Sequence, residues 1–317
     1  MQGTPKISFV IPLYNESEVF KLLVERLNSF SLTLAVEHEF VLVDDGSRDD
    51  TPLLMRALAL ANPAFQCVFL SRNFGHQNAV SAGLTCARGT TAIMILDGDL
   101  QDPPELFSTF YEQLNNGYDV VYGVRKKRKE NILKRLSYHL FYRMLKQISL
   151  SPIILDSGDF SLISRRVVNI INEMPEDSRF LRGMRSWVGF KQIGVEYERD
   201  KRAGGEPKYT LKKLIQLAYD GIFNFSFFPI KLLTFSGVAC LGSSFVYFIL
   251  TIIKRFFSDE VPVGFTALLF MIIFFGGIQL ISIGIIGEYV FRIFLQVKKR
   301  PLFIVKERIV DEKILHE

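Results

Sequence analysis

Cysteine is nearly absent. Only Cys67, Cys86 and Cys240 occur in 317 residues. Their odd number and lack of metal-ligand spacing exclude a disulfide framework or a cysteine metal site and point to reduced, structural thiols. An amino-terminal leader is not seen either. Met1 to Lys6 runs straight into a β-rich stretch with no apolar h-region, so the amino-terminal part is expected to stay in the cytosol. No internal repeat or low-complexity tract is present. Most telling is where charge is missing: residues 232 to 253 and 261 to 287 contain no Asp, Glu, Lys or Arg.

At 1.5 Å rise per residue, each uncharged run can cross a hydrocarbon core of about 30 Å as a helix. These runs account for a mean hydropathy of +0.21 and a hydrophobic content of 49%, too apolar for an ordinary soluble domain. The remaining two-thirds is long enough for one good core. Net charge is a modest +5, but it is clustered. Arg125 to Lys129 are consecutive cations, and Lys298, Lys299 and Arg300 follow the last apolar run. Beside membrane spans such clusters are expected to meet anionic lipid, not nucleic acid. Lys208, Lys212, Lys213 and Lys231 precede the first span, so both ends of the pair are expected on the cytoplasmic side. Residues 131 to 148 and 208 to 228 carry apolar stripes with basic flanks. The second is read as an amphipathic juxtamembrane helix; the first fits a membrane surface or a core equally well. The expected organisation is a globular α/β domain over 1–207, the amphipathic helix over 208–228, spans over 229–255 and 261–290, and a tail over 291–317. Glycines within the spans leave room for close helix packing or for contacts between copies.

In the first domain, apolar runs alternate with helical patterns. Lys6 to Ile11, Glu39 to Val43, Gln66 to Leu70 and Ile93 to Leu96 read as strands, which predicts a mostly parallel sheet with right-handed crossovers. Each run ends in polar residues, so these loops should line one crevice. The fourth stops at Asp97-Gly98-Asp99-Leu100-Gln101-Asp102-Pro103-Pro104. Two carboxylates one residue apart, with an amide oxygen nearby, suit a hard divalent cation. A lone pair of this kind also serves as a solvated turn capping the next helix.

It is not alone. Ile11-Pro12-Leu13-Tyr14-Asn15-Glu16, Val43-Asp44-Asp45-Gly46-Ser47 with Asp49 and Thr51, Arg72-Asn73-Phe74-Gly75 and the Asp97 segment, in this order, resemble family 2 glycosyltransferases of the Rossmann-like GT-A fold. More closely, essentially the whole chain resembles the polyprenyl-phosphate glycosyltransferases, which include dolichol-phosphate mannose synthases and bactoprenol glucosyltransferases.

The resemblance implies that Pro12, Tyr14, Glu16, Val43 and Asp45 bind the nucleotide, where a ring can lie against Tyr14 and carboxylates accept hydrogen bonds. It also implies that Asp97, Gly98, Asp99 and Gln101 surround the donor diphosphate, with Asp97, Asp99 and Gln101 gathered round Mg²⁺ or Mn²⁺. Arg125, Arg202 and Lys208 would contact phosphate. The Gly-Asp-Phe segment at Gly158-Asp159-Phe160 lies on the acceptor side in the bacterial members, which makes Asp159 the catalytic carboxylate with Asp156 in reserve; Ser161 stands where many relatives have arginine. Processive synthases of the superfamily carry a Gln-x-x-Arg-Trp box that is missing here, which favours transfer of a single sugar. The expected activity is inverting transfer of glucose from UDP-glucose to undecaprenyl phosphate for cell-envelope glycan modification, at the cytoplasmic face of a bacterial inner membrane. Mannose, an amino sugar, or a catalytically silent nucleotide-sugar-binding scaffold are the alternatives.

Overall fold

The computed structural model describes residues 6–125, 157–176, 179–198, 228–257 and 264–315. Asp156, Arg202, Lys208, the cations of 126–129, the stripe at 131–148 and nearly all of the 208–228 segment lie outside the described residues. The chain divides into two compact units. One contains the described residues up to Glu198 together with those from Pro301 onward; the other contains two long helices.

Among the described residues, the first unit is built on a nine-stranded sheet. Its strands are β1 (Ile7–Leu13), β2 (His38–Asp44), β3 (Phe65–Leu70), β4 (Ala92–Ile95), β5 (Val120–Arg125), β6 (Ser157–Ser164), β7 (Gln192–Tyr197), β8 (Val305–Val310) and β9 (Lys313–Leu315), in the order β7-β5-β6-β4-β1-β2-β3-β8-β9. The central four, β4-β1-β2-β3, are parallel as expected. The flanks depart from the expected mostly parallel sheet, because β6 runs antiparallel to both β4 and β5 and β8 runs antiparallel to β3 and β9. The sheet is therefore mixed. The parallel part was readable because strand and helix alternate there. Nothing local in β6 or β8 specifies direction.

Strands buried on both faces read as continuous apolar runs, and all seven residues of β1 are buried. Their side chains alternate between two cores. Phe9, Ile11, Leu13, Phe40, Leu42 and Phe65 point toward α1 (Ser17–Ser31), α2 (Thr51–Ala61) and α4 (Phe107–Asn115). Val10, Val41, Val43 and Val68 pack on α3 (His76–Cys86), α5 (Arg165–Glu173) and α6 (Leu181–Trp187). Helix α3 sits directly on the strands: a Cβ on Gly83 would fall 2.3 Å from Val10 Cγ1. Pro12 is tolerated in a central strand because β4 ends at Ile95, opposite Val10, so one ladder has already stopped.

Residues past Pro301, which carry no functional signal in the sequence, belong to this sheet. Glu307 of β8 takes both Arg56 Nε and Nη2, at 3.0 and 2.6 Å, and Arg308 donates to Gln66 Oε1 at 2.6 Å. Asp311, just beyond β8, pairs with Arg88, which also holds the buried Glu39.

At the other edge, Asp119 enters β5 with its carboxylate taken by Arg166 Nε and Nη2 and by Ser164 Oγ. The Arg166 bonds hold the Asp119 carboxyl below its usual range. A depressed folded-state pKa stabilises above the unfolded value of about 3.9, and that stability is lost as pH falls through the folded value. Asp119→Asn is expected to lower the urea midpoint at pH 7, with the gap to the parent closing as pH drops below about 4. A gap that stays constant with pH would contradict the pairing.

The second unit comprises α7 (Phe228–Phe257) and α8 (Phe265–Lys298), of 30 and 34 residues. Among the described residues one stretch, Phe274–Lys298, is long and apolar enough to cross a membrane.

Candidate active site

The parallel topology places the ends of β1 to β4 along one edge, and the antiparallel β6 brings its beginning to the same edge. Ile95 is opposite Ser161 in the β4–β6 register, so Asp97 and Asp159 each lie two residues past the last pair. Strands β5 and β7 run parallel to each other and end there with Arg125 opposite Tyr197.

The β1–α1 and β2–α2 loops are laced together. Asn15, at φ 52°, donates its N–H to Ser47 Oγ (2.9 Å), and its own Oδ1 accepts the Arg48 N–H (2.8 Å). Glu16 N–H donates to Thr51 Oγ1, while Asp49 accepts from the N–H groups of Ser17 and Thr51. Asp49 thus caps the starts of two helices, α1 and α2. Gly46 is required where this loop meets the next, since a Cβ there would lie 2.4 Å from the Arg72 carbonyl carbon and φ is +67°.

Among the expected nucleotide ligands, Tyr14 and Glu16 are half-buried at this edge, whereas the Pro12 and Val43 side chains belong to the core. Asp45 is buried, and its carboxylate accepts the backbone N–H groups of Phe74 (2.7 Å) and Gly75 (3.0 Å). Burial raises its pKa, with these two bonds acting in opposition. In this arrangement Asp45 shapes the loop between β3 and α3.

Asp97, Asp99 and Gln101 are half-buried at the end of β4. Asp99 Oδ1 accepts the Gln101 N–H at 3.2 Å, and a Cβ on Gly98 would strike Leu13 Cδ2 at 2.4 Å, so the chain packs tightly here. Burial, together with the nearby charges of Asp102, Asp159 and Asp99, pushes the Asp97 carboxyl up to about 6, against the pull of His76. Among the described residues no three of His, Cys, Asp and Glu converge as metal ligands. The donor set that is present consists of two carboxylates and an amide. It is composed of hard oxygens in a negatively crowded corner, and so fits a divalent cation whose other positions are filled by a ligand's phosphates.

Asp159 is the most elaborately held group. Its side chain is only 6% exposed. Arg182 donates from Nε to Oδ1 at 2.9 Å and from Nη2 to Oδ2 at 3.1 Å, and Gln77 Nε2 donates to Oδ2 at 3.1 Å. His76 Nε2 stands 3.5 Å from Asp159 Oδ2 and 3.8 Å from Asp97 Oδ1. Burial opposes the Asp159 charge, but Arg182 and His76 hold its pKa well below the usual range. Burial likewise opposes a charge on His76, and the two carboxylates outweigh it, raising the imidazole to about 9. With 39% of its side chain exposed, His76 is partly screened by water. Arg185 is buried beside this cluster, and burial lowers its pKa to about 10. On the far side Tyr197 Oη donates to buried Asp102 Oδ1 at 2.6 Å, with Arg125 interacting with Tyr197 and Asp102.

The structure therefore brings Asp97, Gly98, Asp99, Gln101, Arg125 and Asp159 to one edge of the sheet. It adds His76, Gln77, Asp102, Arg182, Arg185 and Tyr197, to which sequence reasoning gave no role. His76 and Gln77 follow the Arg72-Asn73-Phe74-Gly75 motif directly, and Arg182 and Arg185 share an Arg-x-x-Arg spacing. Those are the signals that could have marked them.

The glycosyl transferase family 2 model matches residues 8–171. An uncharacterised glycosyltransferase of Bacillus subtilis strain 168, YkcC, is 41% identical over 301 residues, which is 95% of this chain and 93% of that protein. The bactoprenol glucosyl transferase of Shigella phage SfII is 39% identical over 95% of this chain and 98% of its own. Among solved structures, Staphylococcus aureus TarS 1–349 with UDP-GlcNAc aligns over 69% of this chain and 67% of its own at 16% identity and a TM-score of 0.46, a superposition too loose to bear on the site. The family match spans every strand from β1 to β6 and both Asp97 and Asp159, and the chain belongs to glycosyl transferase family 2 and is a glycosyltransferase.

Proposed function

We propose that this enzyme transfers one glucose from UDP-glucose to undecaprenyl phosphate at the cytoplasmic face of a membrane that it spans twice. The observation that carries this reading is the meeting of an acidic corner at Asp97 and Asp99 with the cation-held carboxylate Asp159. The full-length likeness to a bactoprenol glucosyl transferase supports the acceptor and the sugar.

Asp97, Asp99 and Gln101 would hold Mg²⁺ or Mn²⁺, which when bound neutralises charge building on the departing diphosphate. Tyr14, Glu16 and the backbone around Val43 and Asp45 would hold the nucleoside. A lipid phosphate has a second pKa of about 6 and is already mostly dianionic at neutral pH. It needs orientation more than deprotonation. That suits Asp159, which Arg182 and His76 keep ionised and which is therefore a poor proton acceptor. Its part is to fix Arg182 and His76, whose positive charges face an incoming phosphate, with Arg125, Arg202 and Lys208 contributing further cations. In-line attack opposite the diphosphate inverts the anomeric centre.

Two crossings are supported by connectivity. The chain before α7 and the chain after α8 contribute strands to the same sheet, which supports an even number of crossings between them. The uncharged runs at 232–253 and 261–287 supply two.

The test incubates detergent-purified protein with Mg²⁺, undecaprenyl phosphate and a panel of labelled UDP- and GDP-sugars, scoring label in the organic phase. Label from UDP-glucose alone, lost when the lipid phosphate is omitted, is the expected result. Label from a mannose or amino-sugar donor corrects the sugar. Folded, nucleotide-binding protein that labels no lipid with any donor sinks the acceptor assignment.

A further inference from the structure

We propose that Gln77 is a positioning residue that locks Asp159 and the start of α6 into their working arrangement. This rests on the role of Asp159 argued above and adds a residue to it. Gln77 is the second residue of α3, 82 positions away from Asp159 and 104 from Leu181 in sequence. One side of its amide donates to Asp159 Oδ2 at 3.1 Å, and the other accepts the Leu181 N–H at 3.0 Å. A carboxylate can only accept and a backbone N–H can only donate, so the amide has a single orientation that satisfies both. Flipped, it would set oxygen against oxygen and N–H against N–H.

The two partners are themselves joined. Leu181 opens α6, where backbone N–H groups have no partner within the helix, and Arg182, the next residue, grips the carboxylate that Gln77 touches. Gln77, Asp159 and Arg182 therefore close a ring around the start of α6. At its other end the α3 turn is fixed by Asp45 through the N–H groups of Phe74 and Gly75. Gln77 thus ties the loop at the nucleotide side to the carboxylate at the acceptor side. Without its donor, Asp159 keeps both Arg182 bonds but loses the one that ties Oδ2 to α3. Displacements on the order of 1 Å at a reacting centre can cost about 100-fold in rate.

The experiment measures lipid-linked product with Gln77→Met, which fills similar volume but neither donates nor accepts strongly, alone and combined with Asp159→Asn. Alone, it is expected to lower kcat about 10- to 100-fold, in the range of other residues that orient a reactive group, while the donor KM stays within about 2-fold. In the Asp159→Asn background it is expected to add less than about 2-fold, because the carboxylate it served is gone. Losses that multiply in the double variant, or an unchanged kcat for Gln77→Met while Asp159→Asn is impaired, overturn the proposal and leave the role of Asp159 standing. Full activity of Asp159→Asn overturns the reading beneath it. If Gln77→Met does not accumulate folded, Gln77→Glu takes its place; it keeps an acceptor for Leu181 and loses the amide donor, and the same outcomes decide.

Discussion

Asp159→Asn is expected to lower turnover by about 100-fold, because the cations that orient the attacking phosphate lose the anion that holds them, with little change in donor binding. The substitution preserves shape and removes one charge. In the parent, one carboxylate serves Arg182 twice, Gln77 once and stands 3.5 Å from His76. Asparagine offers one oxygen in place of two, and its NH₂ group must then face a donor from Gln77 or Arg182. The cations of Arg182, His76 and buried Arg185 also lose the anion that ordered them. Donor affinity should survive, because Asp97 and Asp99 come from a different strand end and are untouched. The companion variant is Asp156→Asn, expected to retain much more activity. The measurement is kcat and donor KM for both. Full turnover by Asp159→Asn, or the larger loss falling on Asp156→Asn, would move the anchoring carboxylate elsewhere.

The same residues show which parts of the site a sequence can reveal. Val43-Asp44 and Leu96-Asp97 each mark a buried strand stopping at an acid, a change of polarity that is local and therefore readable. Asp159 was reached through likeness to a family segment, and the structure places it level with Asp97 because β6 runs antiparallel. Its partners were not readable. Gln77 and Arg182 lie 82 and 23 positions from it, and only the packing of α3 and α6 against the sheet brings them together. Asp45 shows the opposite limit. Its motif implies a nucleotide ligand, and its oxygens also hold the N–H groups of Phe74 and Gly75, a loop-shaping role that no spacing reports. Strand β8 was hidden by its own composition. Val305-Lys306-Glu307-Arg308-Ile309-Val310 has half its positions charged, and Glu307 and Arg308 find their partners on α2 and β3 only once the chain has folded.

That hidden strand carries the second large effect. Deleting residues 301–317 is expected to leave the catalytic unit unable to hold its fold, even though every motif of the family match lies upstream of it. Strand β8 pairs with the second part of β3, from Cys67 opposite Ile309 to Leu70 opposite Val305. Without it the apolar stretch of β3 from Cys67 to Leu70 becomes an open edge, the kind of edge that pairs with other chains. Ile309 is fully buried in the core that contains Phe65, Cys67 and Phe69, and Glu307 neutralises Arg56 at 2.6 Å. A graded version isolates the packing contribution. Ile309→Ala is expected to cost about 2–5 kcal/mol, a large fraction of the roughly 5–15 kcal/mol that keeps a domain folded. Ile304→Ala is the matched control: at 51% exposure its cost should stay within about 0.5 kcal/mol. Urea midpoints of the detergent-solubilised variants, with size-exclusion profiles of the deletion, measure both. A deletion that stays monodisperse with parental midpoint and turnover, or equal costs at Ile309 and Ile304, would make β8 an ornament on a sheet complete without it. The sheet takes β8 from beyond the hydrophobic helices, so folding of the catalytic unit waits on a segment made after them.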